Sequence, residues 1–114
     1  MKKDINISQE VLATTTVEFF NFKVPPRSLL RILKFGNYIN IRDAWGSIIW
    51  RILNNGVGVH PYDVIKDQLG YGAEPREIIC SEFQGGDVLT INVTNNYVDT
   101  VAIGIALQYE VIGD

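Results

Sequence analysis

The side chains that could do chemistry in this 114-residue chain are few, and their spacing is poor for it. His60 is the only histidine, and no Cys, Asp or Glu stands at zinc-ligand spacing from it, so it reads as a loop residue beside Pro61. Acid–base pairs would have to come from Asp63 with Asp67, or from Glu74 with Glu77. All four lie in polar, solvated stretches, where nothing in the sequence separates the two protonation equilibria that paired-carboxylate chemistry needs. Cys80, the single cysteine, sits in the apolar run Ile78-Ile79-Cys80-Ser81 and reads as a small buried hydrophobe. Ser28, Ser47 and Ser81 lack a nucleophile-elbow context. Gly56-Val57-Gly58 and Gly70-Tyr71-Gly72 lack the Lys-Ser or Lys-Thr that a phosphate loop requires. No cofactor or metal is expected, and the sequence does not point to an enzyme.

Aromatic residues offer more. Trp45, Trp50, Tyr62 and Tyr71 fall around the central turns and the long loop. Trp50 shares the apolar face of its strand and is expected in the core. Trp45 beside Gly46, together with Tyr62 and Tyr71 in polar loops, could stack on a sugar or anchor a partner protein; capping one end of the fold is the equal alternative.

The elements that must position these residues are strands. Leu89, Ile91 and Val93 alternate with Val88, Thr90, Asn92 and Thr94. Beyond a turn, Val101, Ile103, Ile105, Leu107, Tyr109 and Val111 alternate with Ala102, Gly104, Ala106, Gln108 and Glu110. A period of two sustained this long excludes a helix and predicts a closing hairpin. Val11 to Lys23 is Thr-, Val- and Phe-rich, with Leu12, Thr14, Thr16, Glu18, Phe20 and Phe22 opposed to Val11, Ala13, Thr15, Val17 and Phe19. Pro25-Pro26 stops that ladder. Ser28 to Phe35 places Leu30 and Ile32 opposite Leu29, Arg31, Leu33 and Phe35; it also fits helical spacing, but no capping signals frame it and a strand is preferred.

Gly36-Asn37 punctuates before Tyr38–Arg42, and Asp43-Ala44-Trp45-Gly46 is expected as a turn. Ser47 to Leu53 is a strand, ended by Asn54-Asn55-Gly56, whose residues tolerate positive φ. The irregular stretch from His60 to Pro75 could hold one helical turn over Val64–Leu69. Arg76 to Phe83 is a further strand, and Gln84-Gly85-Gly86-Asp87 turns into the closing pair. Seven to eight short strands without a long helix predict an all-β, antiparallel β-sandwich of jelly-roll type.

Composition sets the outer limits. With 46% hydrophobic residues there is material for one core, expected as a single domain over 11–114 preceded by a polar arm over 1–10. Ten basic and 13 acidic residues, net charge −3, form no basic run, so nucleic acid is not an expected partner, and no membrane partner is expected either. No stretch reaches the roughly 20 apolar residues that span a bilayer, and the start of the sequence does not read as a signal peptide. A soluble protein is expected, and the acceptor patterns at Asn6 and Asn92 read as chance.

From Val24 to Gly113 the order of features resembles small jelly-roll proteins of tailed-bacteriophage virions, of the capsid decoration or cement type. The resembling elements are Pro25-Pro26-Arg27, Trp50-Arg51-Ile52-Leu53-Asn54-Asn55-Gly56, the loop through His60-Pro61-Tyr62, Gly85-Gly86-Asp87 with the strand to Asn95, and the final strand ending at Tyr109. The resemblance implies a virion protein on the capsid surface, assembled in the host cytoplasm, that stabilises the shell by docking on the major capsid protein or another virion protein. It also implies a homotrimer, which apolar residues on both faces of Ser28–Phe35 and Ser47–Leu53 favour as well. The residues expected to touch partners are Lys2, Lys3, Ile5 and Ile7 of the arm, with Trp45, Tyr62 and Tyr71. A carbohydrate- or receptor-binding module of a phage tail or fibre, stacking sugars on Trp45, Tyr62 and Tyr71, is the alternative.

Overall fold

Alternating strands that each bury one face need a second sheet to bury it against, and the chain supplies two. A computed structural model describes residues 2–58, 64–65, 70–71, 76–77 and 82–113. Six long strands carry the sheets: β1 (Lys2–Val11), β2 (Thr15–Lys23), β3 (Ser28–Ile39), β4 (Ile48–Asn54), β10 (Val88–Asn95) and β11 (Val101–Gly113). Five two-residue strands, β5 (Val57–Gly58), β6 (Val64–Ile65), β7 (Gly70–Tyr71), β8 (Arg76–Glu77) and β9 (Phe83–Gln84), complete one side of the sandwich. The first sheet runs β1-β11-β3, with β7, β8 and β9 on the far side of β3. The second runs β2-β10-β4, with β5 and β6 on the far side of β4. All pairs are antiparallel except β3 with β7. From β1 to β4, and again from β10 to β11, each long strand passes to the opposite sheet, which is the jelly-roll wrap.

That wrap corrects the expected closing hairpin. β10 and β11 are consecutive but lie in different sheets. Alternation is equally satisfied when two apolar faces meet across a core as when they lie side by side, and here Leu89, Ile91 and Val93 share one buried core with Val101, Ile103, Ile105, Leu107 and Tyr109. The expected arm is also corrected. Lys2–Glu10 belongs to β1 and pairs residue by residue with β11 from Lys2↔Glu110 to Val11↔Val101. Its polar composition reflects an edge position, with Ile5 and Ile7 half-buried against the core. Gly36-Asn37 does not interrupt β3, and the turn expected at Asp43–Gly46 is a 3₁₀ turn over Arg42–Ser47. Among the described residues there is no α-helix, and no helix is long and apolar enough to cross a membrane.

Two bulges move side chains that alternation alone misplaces. The β2 register slips between Ile91 and Asn92, so that Phe20 faces Ile91 while Glu18 faces Asn92. The extra residue, Phe19, turns into the core with 5% exposure, while Phe20 and Phe22 still pack against it. A second slip, between Gln108 and Tyr109, sets Ile32 and Lys34 against them and leaves Leu33 over, so Leu30, Ile32 and Phe35 are all buried despite opposite parity. At the centre lies Trp50, fully buried, with Phe19 and Phe35 edge-on at 5.2 and 5.3 Å between ring centroids.

The turn motifs meet at one end. Asn55 (φ 52°) and Gly56 (φ 84°) form the two-residue turn between β4 and β5, as their tolerance of positive φ predicts. Asp87 clamps it: one carboxylate oxygen accepts from Asn54 Nδ2 (3.1 Å) and Gln84 N–H (2.8 Å), the other from Asn55 Nδ2 (3.2 Å). Gly85 lies against the Pro25-Pro26-Arg27 turn so closely that a Cβ there would stand 2.8 Å from Arg27 N and 2.9 Å from Pro25 O. The Gln84 N–H first, and then the Asn54 and Asn55 amides, hold the Asp87 carboxyl below its ordinary value of 3.8. A depressed carboxylate stabilises the fold at pH above its unfolded value; that contribution falls away as pH drops below 3.8 and through the folded value. Asp87→Asn is therefore expected to lower the melting temperature at neutral pH, with the gap from wild type narrowing in acid below 3.8. Melts of both proteins across that range check it, and a constant gap would refute it.

Candidate functional site

The opposite end of the sandwich is built from the loops 12–14 and 96–100 and the turn Arg42–Ser47. One buried side chain ties two of them together. Asn95, the last residue of β10 and fully buried, donates from Nδ2 to the carbonyls of Val11 (2.9 Å) and Asp99 (3.0 Å), with a longer approach to Leu12 (3.4 Å). Its Oδ1 accepts from Tyr97 N–H at 2.8 Å. Backbone bonds add Asn96 N–H to Ser47 C=O (2.9 Å) and Asn40 N–H to Ala102 C=O (3.2 Å). Inside, Val11, Val101, Ile48 and Ala44 close the core. Outside, Leu12 and Val98 stand 65% and 79% exposed, two large apolar side chains on loops with fixed anchors. The signal for Asn95 was in the sequence: it occupies the inward parity of Leu89, Ile91 and Val93, where a polar residue must find backbone partners.

A second feature lies on the outer face of the sheet β2-β10-β4. A hollow of about 260 Å³ is lined by Thr16, Ile49, Arg51, Asn92, Thr94 and Asn96. The register brings them together, because Thr94 faces Thr16 on one side and Ile49 on the other, while Asn92 faces Arg51. Thr16 and Thr94 share a hydroxyl hydrogen bond of 2.8 Å. Among the described residues, Asn92 Oδ1 is buried and has no hydrogen-bond partner. These are amides, hydroxyls and one guanidinium around an aliphatic floor, a set suited to recognising polar groups. Sequence reading passed over them, since outward Thr and Asn on a strand look like ordinary solvated positions.

The expected partner-binding residues whose backbone is described lie on separate elements. Lys2, Lys3, Ile5 and Ile7 lie on β1. Lys2 pairs near the end of β11, whereas Trp45 belongs by its backbone to the turn at the other end. Tyr71 belongs by its backbone to β7, which pairs with β3 on the side away from β1. Tyr62 lies outside the described residues, as do His60, Asp63, Asp67, Glu74, Cys80 and Ser81. Trp50 is a core residue, as expected.

Three of the segments that carry the family resemblance, Pro25-Pro26-Arg27, Asn54-Asn55-Gly56 and Gly85-Gly86-Asp87, fasten one end of the fold. No family model matches the sequence, and a search of curated proteins finds no match.

Proposed function

We propose that this β-sandwich is a structural virion protein of the capsid decoration or cement type, docking without chemistry through its Leu12–Val98 end onto the major capsid protein or another virion protein. The observation that carries the reading is the pair of exposed apolar residues on loops anchored by the buried Asn95. A pre-ordered apolar tip loses little entropy on binding, and repetition over a shell makes modest contacts add. Self-association belongs to the proposal, and the family resemblance implies trimers.

Expanded, undecorated heads of the phage whose genome carries the sequence, sedimented with the purified chain, test the reading. Wild type is expected to co-sediment and to raise the heat resistance of the particles. Leu12→Asp with Val98→Asp is expected to abolish both without changing the melting temperature of the free protein. Docking that survives the double substitution would overturn it. Deleting residues 2–10 is not a usable control, because it strips β11 of one of its two partner strands.

A second reading rests on the outer hollow. Hydroxyl-rich ligands match Asn92, Thr94, Thr16 and Arg51, as a glycan-binding tail or fibre module requires. Glycan-array binding that disappears in Asn92→Leu, with no capsid docking, would favour it over the first.

A further inference from the structure

β1 ends the first sheet, and among the described residues its ladder partner is β11 alone, so the backbone groups on its other side have no strand to bond. Among the described residues, no ion pair engages Lys2, Lys3 or Glu10. Ile5 and Ile7 are only half covered.

We infer that β1 is a self-pairing edge: two copies join antiparallel about a two-fold axis through Asn6, so that the sheets β3-β11-β1 of both fuse into one. The sequence of β1 is complementary to its own reverse. That register sets Lys2 opposite Glu10 of the second copy, Lys3 opposite Gln9, Asp4 opposite Ser8, Ile5 opposite Ile7 and Asn6 opposite itself. Every pair but the last occurs twice. No like charges face each other. The two Ile5–Ile7 pairs fall on the inward face, because Ile5 and Ile7 stand opposite Leu107 and Ile105 of β11, and they extend the core across the junction.

Neighbouring registers that keep the same faces are worse. A slip one way sets Lys3 against Ile7; a slip the other way sets Asp4 against Glu10 and Ile5 against Gln9. Parallel pairing in register would face Lys2 with Lys2 and Glu10 with Glu10. Edge charges usually forbid strand addition. Here they favour one self-complementary register over its neighbours, which commits the occupant to a second copy of this chain.

A two-fold contact closes after two copies, so it is a different assembly from the trimer that the resemblance implies. It stands apart from the tip-docking reading, which the head-sedimentation experiment tests separately. Native mass measurement and sedimentation of the full chain at micromolar to submillimolar concentration are expected to show a monomer–dimer equilibrium. Glu10→Lys alone and Lys2→Glu alone are each expected to weaken the dimer roughly tenfold, since each faces like charges twice across the junction. The combined K2E/E10K protein is expected to recover wild-type affinity, and thermal melts verify that each variant is folded. A monomer throughout, a trimer, or a dimer indifferent to the charge exchange would each overturn the inference.

Discussion

Trp50→Ala is expected to cost about 3–5 kcal/mol of folding stability, enough to leave a domain of ordinary stability, about 5–15 kcal/mol, partly unfolded at physiological temperature. The indole is fully buried at the middle of β4, and it is the largest side chain in the core. Phe19 of β2 and Phe35 of β3 abut it edge-on, so one residue joins both sheets. Phe19 shares the inward parity of Val17, and the bulge that follows it lets Phe20 and Phe22 face the same core. Truncation removes the transfer energy of the indole and leaves a cavity between two layers that cannot close without sliding the sheets. Trp50→Phe is expected to cost much less, about 1–2 kcal/mol, because a ring remains between Phe19 and Phe35. Among the described residues, the indole Nε1 also has no hydrogen-bond partner to lose. Urea unfolding separates these outcomes: the midpoints should fall in the order wild type, W50F, W50A at constant slope. An alanine variant within about 1 kcal/mol of wild type would refute the central role given to Trp50.

The core was legible where the backbone is regular. Trp50 with Ile48 and Ile52, and Leu89 with Ile91 and Val93, are inward as their parity predicts. Legibility failed at the bulges, because one inserted residue reverses the parity of everything beyond it. Phe35, and likewise Phe20 and Phe22, pack inward on faces that strict alternation from Leu30 and Ile32, and from Val17 and Phe19, assigns to the other side of their strands. No local residue type announces either bulge: Leu33 and Phe19 are ordinary strand formers. Pairing was harder still to read, because a strand's own sequence states which face is buried and not which neighbour it bonds. The closing hairpin takes adjacency along the chain for adjacency in a sheet, and the arm takes the polar composition of an edge strand for a segment outside the fold. By contrast, turn chemistry could be read directly, as at Asn55-Gly56, since positive φ is a property of one or two residues. The outer hollow could not be read, because its lining comes from three strands and is assembled by register alone.

Asn95→Ala is expected to destabilise the fold by about 3 kcal/mol and to loosen the end of the sandwich assigned to docking. The amide is fully buried, and its removal takes its hydrogen bonds away from the Val11 and Asp99 carbonyls and the Tyr97 N–H. Backbone groups deprived of a bond cost about 1–3 kcal/mol apiece where water cannot reach them, and partial rehydration at the sandwich end keeps the sum near the lower bound. Asn95→Asp discriminates this account from simple loss of packing, since volume is retained while the donor is lost. An ionised carboxylate would face the Val11 and Asp99 carbonyls, oxygen against oxygen. Burial and this repulsion would raise its folded pKa, so Asn95→Asp should be least stable at neutral pH and recover in acid, where a protonated carboxyl donates again. Melting curves of both variants across pH check the sign, and hydrogen exchange at Leu12, Tyr97 and Val98 checks the locality. Exchange that rises uniformly over β4 and β11 would mean that Asn95 supports the whole sandwich. Exchange that rises only at this end would mean that it holds Leu12 and Val98 in place for a partner, and Asn95→Ala would then weaken docking on expanded heads even though both apolar side chains remain.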